Sequence, residues 1–182
     1  MLIRTATEAD IPSITAIYGE SVETGVASYE LVAPTEDEMR RRFAAITADA
    51  YPYLAAEADG RLLGYAYASA FRTRPAYRWL VEDSIYLAPD ARGRGIGSAL
   101  LAELVSRCAA LGFRQMIAVI GGAHPASVAL HEKAGFAHAG RLAGTGYKHG
   151  RWLDTVLMQK ALGEGTASDP DPARYPGTLV RG

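Results

Sequence analysis

Six residues, Arg92-Gly93-Arg94-Gly95-Ile96-Gly97, constrain what this chain can fold into more than any other stretch. They follow a β-rich run near Val81 to Leu87 and the turn Ala88-Pro89-Asp90. After them, Ser98 to Leu111 carries apolar residues at helical spacing and stops at Gly112. Strand, glycine turn and helix in that order gather backbone N–H groups at the positive end of a helix dipole, where an anion binds. Glycine lets the anion come close because no Cβ intervenes. The residues alone leave two readings open, an anion cradle or a tight strand-to-helix connection. They exclude two common cradles: R-G-R-G-I-G does not place its third glycine at the G-x-G-x-x-G spacing and lacks the later acidic residue of a dinucleotide site, and no Gly-Lys-Ser/Thr follows as in a P-loop.

Around this loop the chain reads as alternating elements. Leu2 to Ala6 is a strand, and Thr7-Glu8-Ala9-Asp10 caps a helix carrying Ile11, Ile14, Ile17 and Tyr18. Thr35 and Glu38 cap a second helix, through Met39, Phe43 and Ile46. Tyr53 to Ala58 and Arg61 to Ala70 form a hairpin across Asp59-Gly60, a dipeptide favoured where both turn residues need positive φ. Met116 to Ile120 has the length of a buried strand. A helix from about Pro125 to Ala134 ends at Gly135, and Phe136 to Tyr147 with Arg151 to Lys160 make a last hairpin around His149-Gly150. The order β α α β β β α β α β β predicts an α/β (α+β) domain over residues 1–162, with helices flanking a mostly antiparallel sheet. Residues 163–182, rich in Gly, Pro, Asp and Ser without an apolar period, predict an extended tail, free to lie on a neighbouring subunit.

Composition narrows the partners. A chain of 182 residues with 49% hydrophobic content fits one ordinary domain. Its formal net charge of -1 and pI of about 6.4 give no field to attract nucleic acid or an anionic membrane, so an anionic ligand must be held locally. Arg40-Arg41-Arg42 is simplest as a solvated helix face. Cys108 falls in step with Leu101, Leu104, Val105 and Leu111, which makes it core and not catalytic. No leader-like or membrane-spanning run is present, so a cytoplasmic enzyme is expected.

Arg92 to Gly97 also matches the R/Q-x-x-G-x-G/A signature, and the chain from about Ile3 to Leu162 resembles the GNAT superfamily of N-acetyltransferases. Within it the chain is similar to the phosphinothricin and methionine sulfoximine acetyltransferase group. The passages that carry the likeness include Val81-Glu82-Asp83-Ser84-Ile85-Tyr86, Val119-Ile120-Gly121, Leu130-His131-Glu132 and Gly146-Tyr147-Lys148-His149-Gly150-Arg151-Trp152. The resemblance implies a sheet splayed at the cofactor site, with acetyl-CoA as co-substrate and no metal. Backbone groups of Ile85, Tyr86 and Leu87 would hold the pantetheine arm, and Gly93, Gly95, Ile96, Gly97 and Ser98 the pyrophosphate. Arg92 and Arg94 would add charge, and His124 a further cofactor contact. A homodimer is the expected assembly.

Acetyl transfer to an amine requires a base, a site for the oxyanion and a proton for the leaving thiolate. The resemblance implies Glu82 as the base; the residue alone reads equally as an edge-strand ion-pair partner. It implies His131 as the second catalytic group, donating to the thiolate or relaying a proton. Asp83 is read as structural, and a strand N–H near Tyr86 as the oxyanion donor. Arg72 and Arg74, with Pro75, Ala76 and Tyr77, put two guanidinium groups and a phenol near the catalytic strand, a composition suited to a carboxylate or phosphinate. Tyr29 and Lys148 would complete the pocket. The expected reaction is N-acetylation of a small amino-acid-like substrate such as phosphinothricin, methionine sulfoximine or methionine sulfone. Two positions depart from the family pattern, Gly19-Glu20 after Tyr18 and His124-Pro125. They leave another small amine, or a non-catalytic acetyl-CoA sensor, as alternatives.

Overall fold

A computed structural model describes residues 1–179. Seven strands form one sheet: β1 (Leu2–Thr5), β2 (Tyr53–Ala58), β3 (Arg61–Ala70), β4 (Leu80–Leu87), β5 (Gln115–Gly121), β6 (Ala137–Lys148) and β7 (Arg151–Ala161). Their spatial order is β1-β2-β3-β4-β5-β7-β6, and every pairing is antiparallel except β4 with β5. Among the described residues, four α-helices complete the fold: α1 (Ile11–Thr24), α2 (Glu36–Ala48), α3 (Ile96–Leu111) and α4 (Pro125–Lys133). Among the described residues no helix is long and apolar enough to cross a membrane.

Local chemistry explains the boundaries. Asp59 and Gly60 take φ of 52° and 73°, and His149 and Gly150 take 50° and 73°, so both hairpins turn through the left-handed conformations that match strand twist. Thr35 accepts the Glu38 N–H at the start of α2, and α3 ends on Gly112 at φ 108°. Thr7 opens a single 3-10 turn, Glu8–Asp10, before α1 begins; Asp10 accepts the Thr7 N–H and is clamped by Arg4.

Alternation along β4 separates two environments. Tyr86 meets Tyr18 of α1 edge-on at 4.9 Å, while Leu87, one residue on, packs beside Gly97 of α3. Helices α1 and α3 therefore cover opposite faces, and each buries an apolar stripe: Ile11, Ile14 and Val22 on one side, Leu100, Leu104 and Cys108 on the other. Burial pushes the Cys108 thiol up to about 12, as befits a core residue.

The C-terminal segment is not extended. Arg114 donates to the Ser168 carbonyl at 2.5 Å, Arg174 to the Ala110 carbonyl at 2.6 Å, and the Tyr175 hydroxyl to the Asp49 carbonyl at 2.7 Å. The Tyr175 ring packs on Phe113 and Tyr51, and Pro176 and Gly177 are buried. A search for apolar periodicity misses such a segment, because isolated aromatic and proline side chains can anchor a chain that has no regular face. Val180, Arg181 and Gly182 lie outside the described residues.

Candidate active site

The site begins where the sheet parts. β4 pairs with β5 only from Leu80–Asp83 against Gln115–Ala118. Beyond that, β5 stays with β7 through Gly121 and β4 stays with β3 through Leu87. The strands splay around a groove of about 700 Å³. Along it the β4 edge from Ser84 to Leu87 has no strand partner, so the backbone of Ile85, Tyr86 and Leu87 is open to an extended ligand with amide groups.

The glycine loop closes one end. Gly93 and Gly95 take φ of 74° and 78°, and a Cβ built on either meets nothing within 4 Å. Backbone conformation, not crowding within the protein, is what calls for glycine there. Gly95 is the N-cap of α3 and offers no side-chain acceptor, so the first N–H groups of the helix await an outside partner. A diphosphate attached to a pantetheine arm fits this donor set: unpaired strand edge for its amides, helix N-terminus for its phosphates. Gly93, Gly95, Gly97 and Ser98 line the groove, whereas the Ile96 side chain is buried in the core. Arg94 turns outward toward the Asp90 carbonyl at 3.5 Å. Arg92 lines the groove but is ion-paired with Glu20 of α1. That partner occupies one of the positions that departs from the family pattern, so sequence comparison alone could not have named it. His124 also lines the groove, as the N-cap of α4 with Pro125 in the first turn.

Glu82 and His131 both reach the groove, from opposite faces of β4. Glu82 shares its face with Tyr86 and is half-buried. Burial first, then the charge of Asp83, raises its pKa to about 7, with Arg72 pulling the other way. Asp83, on the other face, binds His131: Nε2 lies 3.0 Å from Oδ2, and Nδ1 lies 2.7 Å from the Ser127 carbonyl. Both ring nitrogens face acceptors, an arrangement that the imidazolium cation satisfies. Burial of the ring lowers its pKa, but the hydrogen bond and charge of Asp83 and the Ser127 carbonyl outweigh it and leave the value raised. Among the described residues, Asp83 Oδ1 is buried without a hydrogen-bond partner. The sequence contains no signal for this pair, whose members stand 48 residues apart.

The acceptor-side residues divide. Arg72, Arg74 and Tyr77 line a second cavity of about 270 Å³ with Thr73, and Pro75 and Ala76 form the exposed 3-10 turn beside it. Tyr29 and Lys148 are not brought to either cavity. The Tyr29 hydroxyl lies 2.9 Å from the Asp154 carbonyl and accepts the Gly122 N–H at 3.1 Å, while Lys148 is buried and donates to the Ser28 carbonyl at 2.9 Å. Their polar atoms are engaged in fastening the α1–α2 connection to the last hairpin. Tyr86 likewise packs its ring between Tyr18 and Tyr65.

A splayed β4–β5 pair, a glycine-bounded helix N-terminus and a half-buried carboxylate between them are the arrangement that an acyl-CoA-dependent acyltransferase requires. The chain belongs to the GNAT family: residues 3–157 match the acetyltransferase (GNAT) domain. It is 49% identical over 170 residues to a phosphinothricin N-acetyltransferase of Alcaligenes faecalis, covering 93% of this chain and 86% of that one. It is 38% identical to an L-methionine sulfoximine/L-methionine sulfone acetyltransferase of Pseudomonas paraeruginosa, over 88% and 94% of the two chains. The fold superposes with a TM-score of 0.98 on the crystal structure of a phosphinothricin acetyltransferase from Sinorhizobium meliloti in complex with AcCoA, at 62% identity over 100% and 98% of the chains. The expectations of a GNAT fold and an acetyl-CoA-dependent acetyltransferase hold.

Proposed function

We propose that this chain is a cytoplasmic enzyme that transfers the acetyl group of acetyl-CoA to the amino group of a small anionic amino-acid analogue of the phosphinothricin and methionine sulfoximine type. The observation that carries this reading is the position of Glu82, half-buried in the cofactor groove with the Arg72 guanidinium close enough to act on its charge. The backbone of Ile85 to Leu87 holds the pantetheine arm, the N–H groups from Gly93 to Ser98 hold the pyrophosphate, and His124 borders the arm. Arg72, Arg74 and Tyr77, on the loop with Pro75 and Ala76, meet the carboxylate or phosphinate of the acceptor.

In this reading Glu82 takes one proton from the acceptor ammonium. The neutral nitrogen attacks the thioester carbonyl, and a β4 backbone N–H beside Tyr86 stabilises the oxyanion. The C–S bond breaks, and the second proton that the attacking nitrogen gives up is balanced by the one the departing thiolate takes up, so CoA leaves as the free thiol. His131 shares its Nε2–H with Asp83, so it acts from a fixed position as a cation beside the developing thiolate; donating that proton would require breaking the 3.0 Å contact. Tyr29 and Lys148 serve by holding the α1–α2 connection at the groove rim.

Free-thiol release from acetyl-CoA tests the substrate class. Phosphinothricin, methionine sulfoximine and methionine sulfone are expected to outpace the common amino acids by at least about tenfold in kcat/KM. Turnover confined to protein or aminoglycoside acceptors would overturn the class, and cofactor binding without turnover on any amine would favour a sensor.

The same reading includes a homodimer formed through the β6–β7 hairpin. β6 is an exposed sheet edge, and Leu142, Tyr147 and Trp152 are 48%, 58% and 70% exposed. Sedimentation of a dimer at micromolar concentration is the expected result, and a monomer at that concentration would remove this part.

A further inference from the structure

The loop that carries Arg72, Arg74 and Tyr77 has little structure of its own. Between the end of β3 at Ala70 and the start of β4 at Leu80 it holds one 3-10 turn, and residues 72–77 are all exposed. Among the described residues none of Arg72, Arg74 and Tyr77 makes an ion pair. Its geometry is therefore set by what grips its ends. At the C-terminal end that grip comes from a distant part of the chain. Gly177 lies so close to Trp79 that a Cβ on it would fall 2.6 Å from Trp79 Cη2 and 2.7 Å from Pro172 Cα. Trp79 is also held through its carbonyl, which accepts the Arg114 and Gln115 N–H groups at 2.9 and 3.2 Å. The Arg78 guanidinium stands 5.1 Å over the Trp79 ring and donates to the Pro75 carbonyl at 3.1 Å. Contacts thus run without a break from Gly177 through Trp79 and Arg78 to the 3-10 turn.

The segment that starts this chain of contacts is itself anchored. Tyr175 is wedged against Phe113 and Tyr51 and its carbonyl lies where a Cβ on Gly112 would fall, at 2.4 Å, so only glycine is tolerated at the end of α3. We infer that residues 172–177 are an intramolecular strap that, through Trp79 and Arg78, positions the 71–77 loop and so helps select the acyl acceptor. This rests on the reading above that Arg72, Arg74 and Tyr77 meet the acceptor. The residues of the strap touch neither the cofactor groove nor the acceptor cavity, so they are positioning residues and not catalytic ones.

Two variants of the full protein test it: Gly177→Ala, which drives a methyl into Trp79, and a truncation that removes residues 170–182. The first readout needs no substrate. Amide exchange at Tyr77 and Arg78, bonded to Arg74 and Pro75, and at Arg114 and Gln115, bonded to Trp79, is expected to quicken about tenfold in both variants, with α1 and β1 unchanged. The second is kinetic: KM for the preferred acceptor should rise about tenfold while the acetyl-CoA Kd moves less than about twofold. Unchanged exchange at those four amides overturns the strap. So does an unchanged acceptor KM in variants of an otherwise active enzyme. Wild-type protein that turns over none of the acceptors would overturn the proposed substrate class, and the exchange rates would then decide the strap alone. If the truncated chain fails to fold, Gly177→Ala carries both readouts.

Discussion

Glu82→Gln is expected to lower kcat by between about 10²- and 10⁴-fold, the range for loss of a positioned general base, while acetyl-CoA binds as before. Gln keeps the size of the side chain and its reach into the groove, so the loss measures proton acceptance and not packing. The pH dependence provides an independent check. A base works only when deprotonated, and burial beside Asp83 raises Glu82 to about 7. Wild-type kcat should therefore climb as pH rises from 6 to 8 and level off above, and the residual rate of the variant should lack that step. A variant with wild-type kcat, or a wild-type profile flat across this window, would remove Glu82 from the role. The raised value suits the chemistry: a carboxylate of ordinary pKa would be fully ionised at neutral pH but too weak a base to take much of the ammonium proton.

Asp83→Ala is expected to cost about 1–3 kcal/mol of folding stability, because the imidazole loses its charge and its buried Nε2 is left without the hydrogen-bond partner Asp83 supplied. His131 is only 3% exposed, so water cannot replace the carboxylate. Combining Asp83→Ala with His131→Leu removes the unpaired nitrogen, and urea unfolding should show the double variant recovering much of the loss. A simple sum of the two single effects would mean that the pair does not act as one unit. The pH sign follows from the direction of the shift. His131 has a raised pKa in the folded chain, so its contribution to stability is fully present below its unfolded value near 6.5 and is lost as pH rises through the folded value. Glu82, also raised, contributes in the same direction. The difference between wild type and His131→Leu isolates the histidine, and it should shrink as the solution becomes alkaline. For catalysis, Asp83→Asn is the sharper variant: it keeps the shape of the side chain but frees the imidazole to become neutral, so kcat should fall with little change in acceptor KM.

The order and type of the elements were legible in the chain because their signals are local. Alternating apolar residues, the Thr35 cap, the Asp59-Gly60 and His149-Gly150 turns and the glycines at 112 and 135 each act within a few residues, and all stand where expected. The strand, glycine loop and helix that border the groove were legible for the same reason: they are contiguous from Leu80 to Leu111. On the acceptor side the legible part ends with composition. Arg72, Arg74 and Tyr77 share a cavity, but Tyr29 and Lys148 turn out to be engaged by Asp154, Gly122 and Ser28, in contacts that join residues far apart in the chain.

Residue types and their near-neighbour spacing therefore carried the sheet, the helices and the glycine turn before α3, and the family resemblance added Glu82 and His131 as candidates. The folded chain supplied what depends on distance through space. It paired His131 Nε2 with Asp83 and Nδ1 with the Ser127 carbonyl, set Glu20 against Arg92, and raised Glu82 by burial. It also bent residues 163–179 back onto Trp79 and Phe113, where the chain alone had suggested an extended tail. Hydrogen bonds and charges act over a few ångströms, and folding alone brings residues separated by 48 or 72 positions within that range.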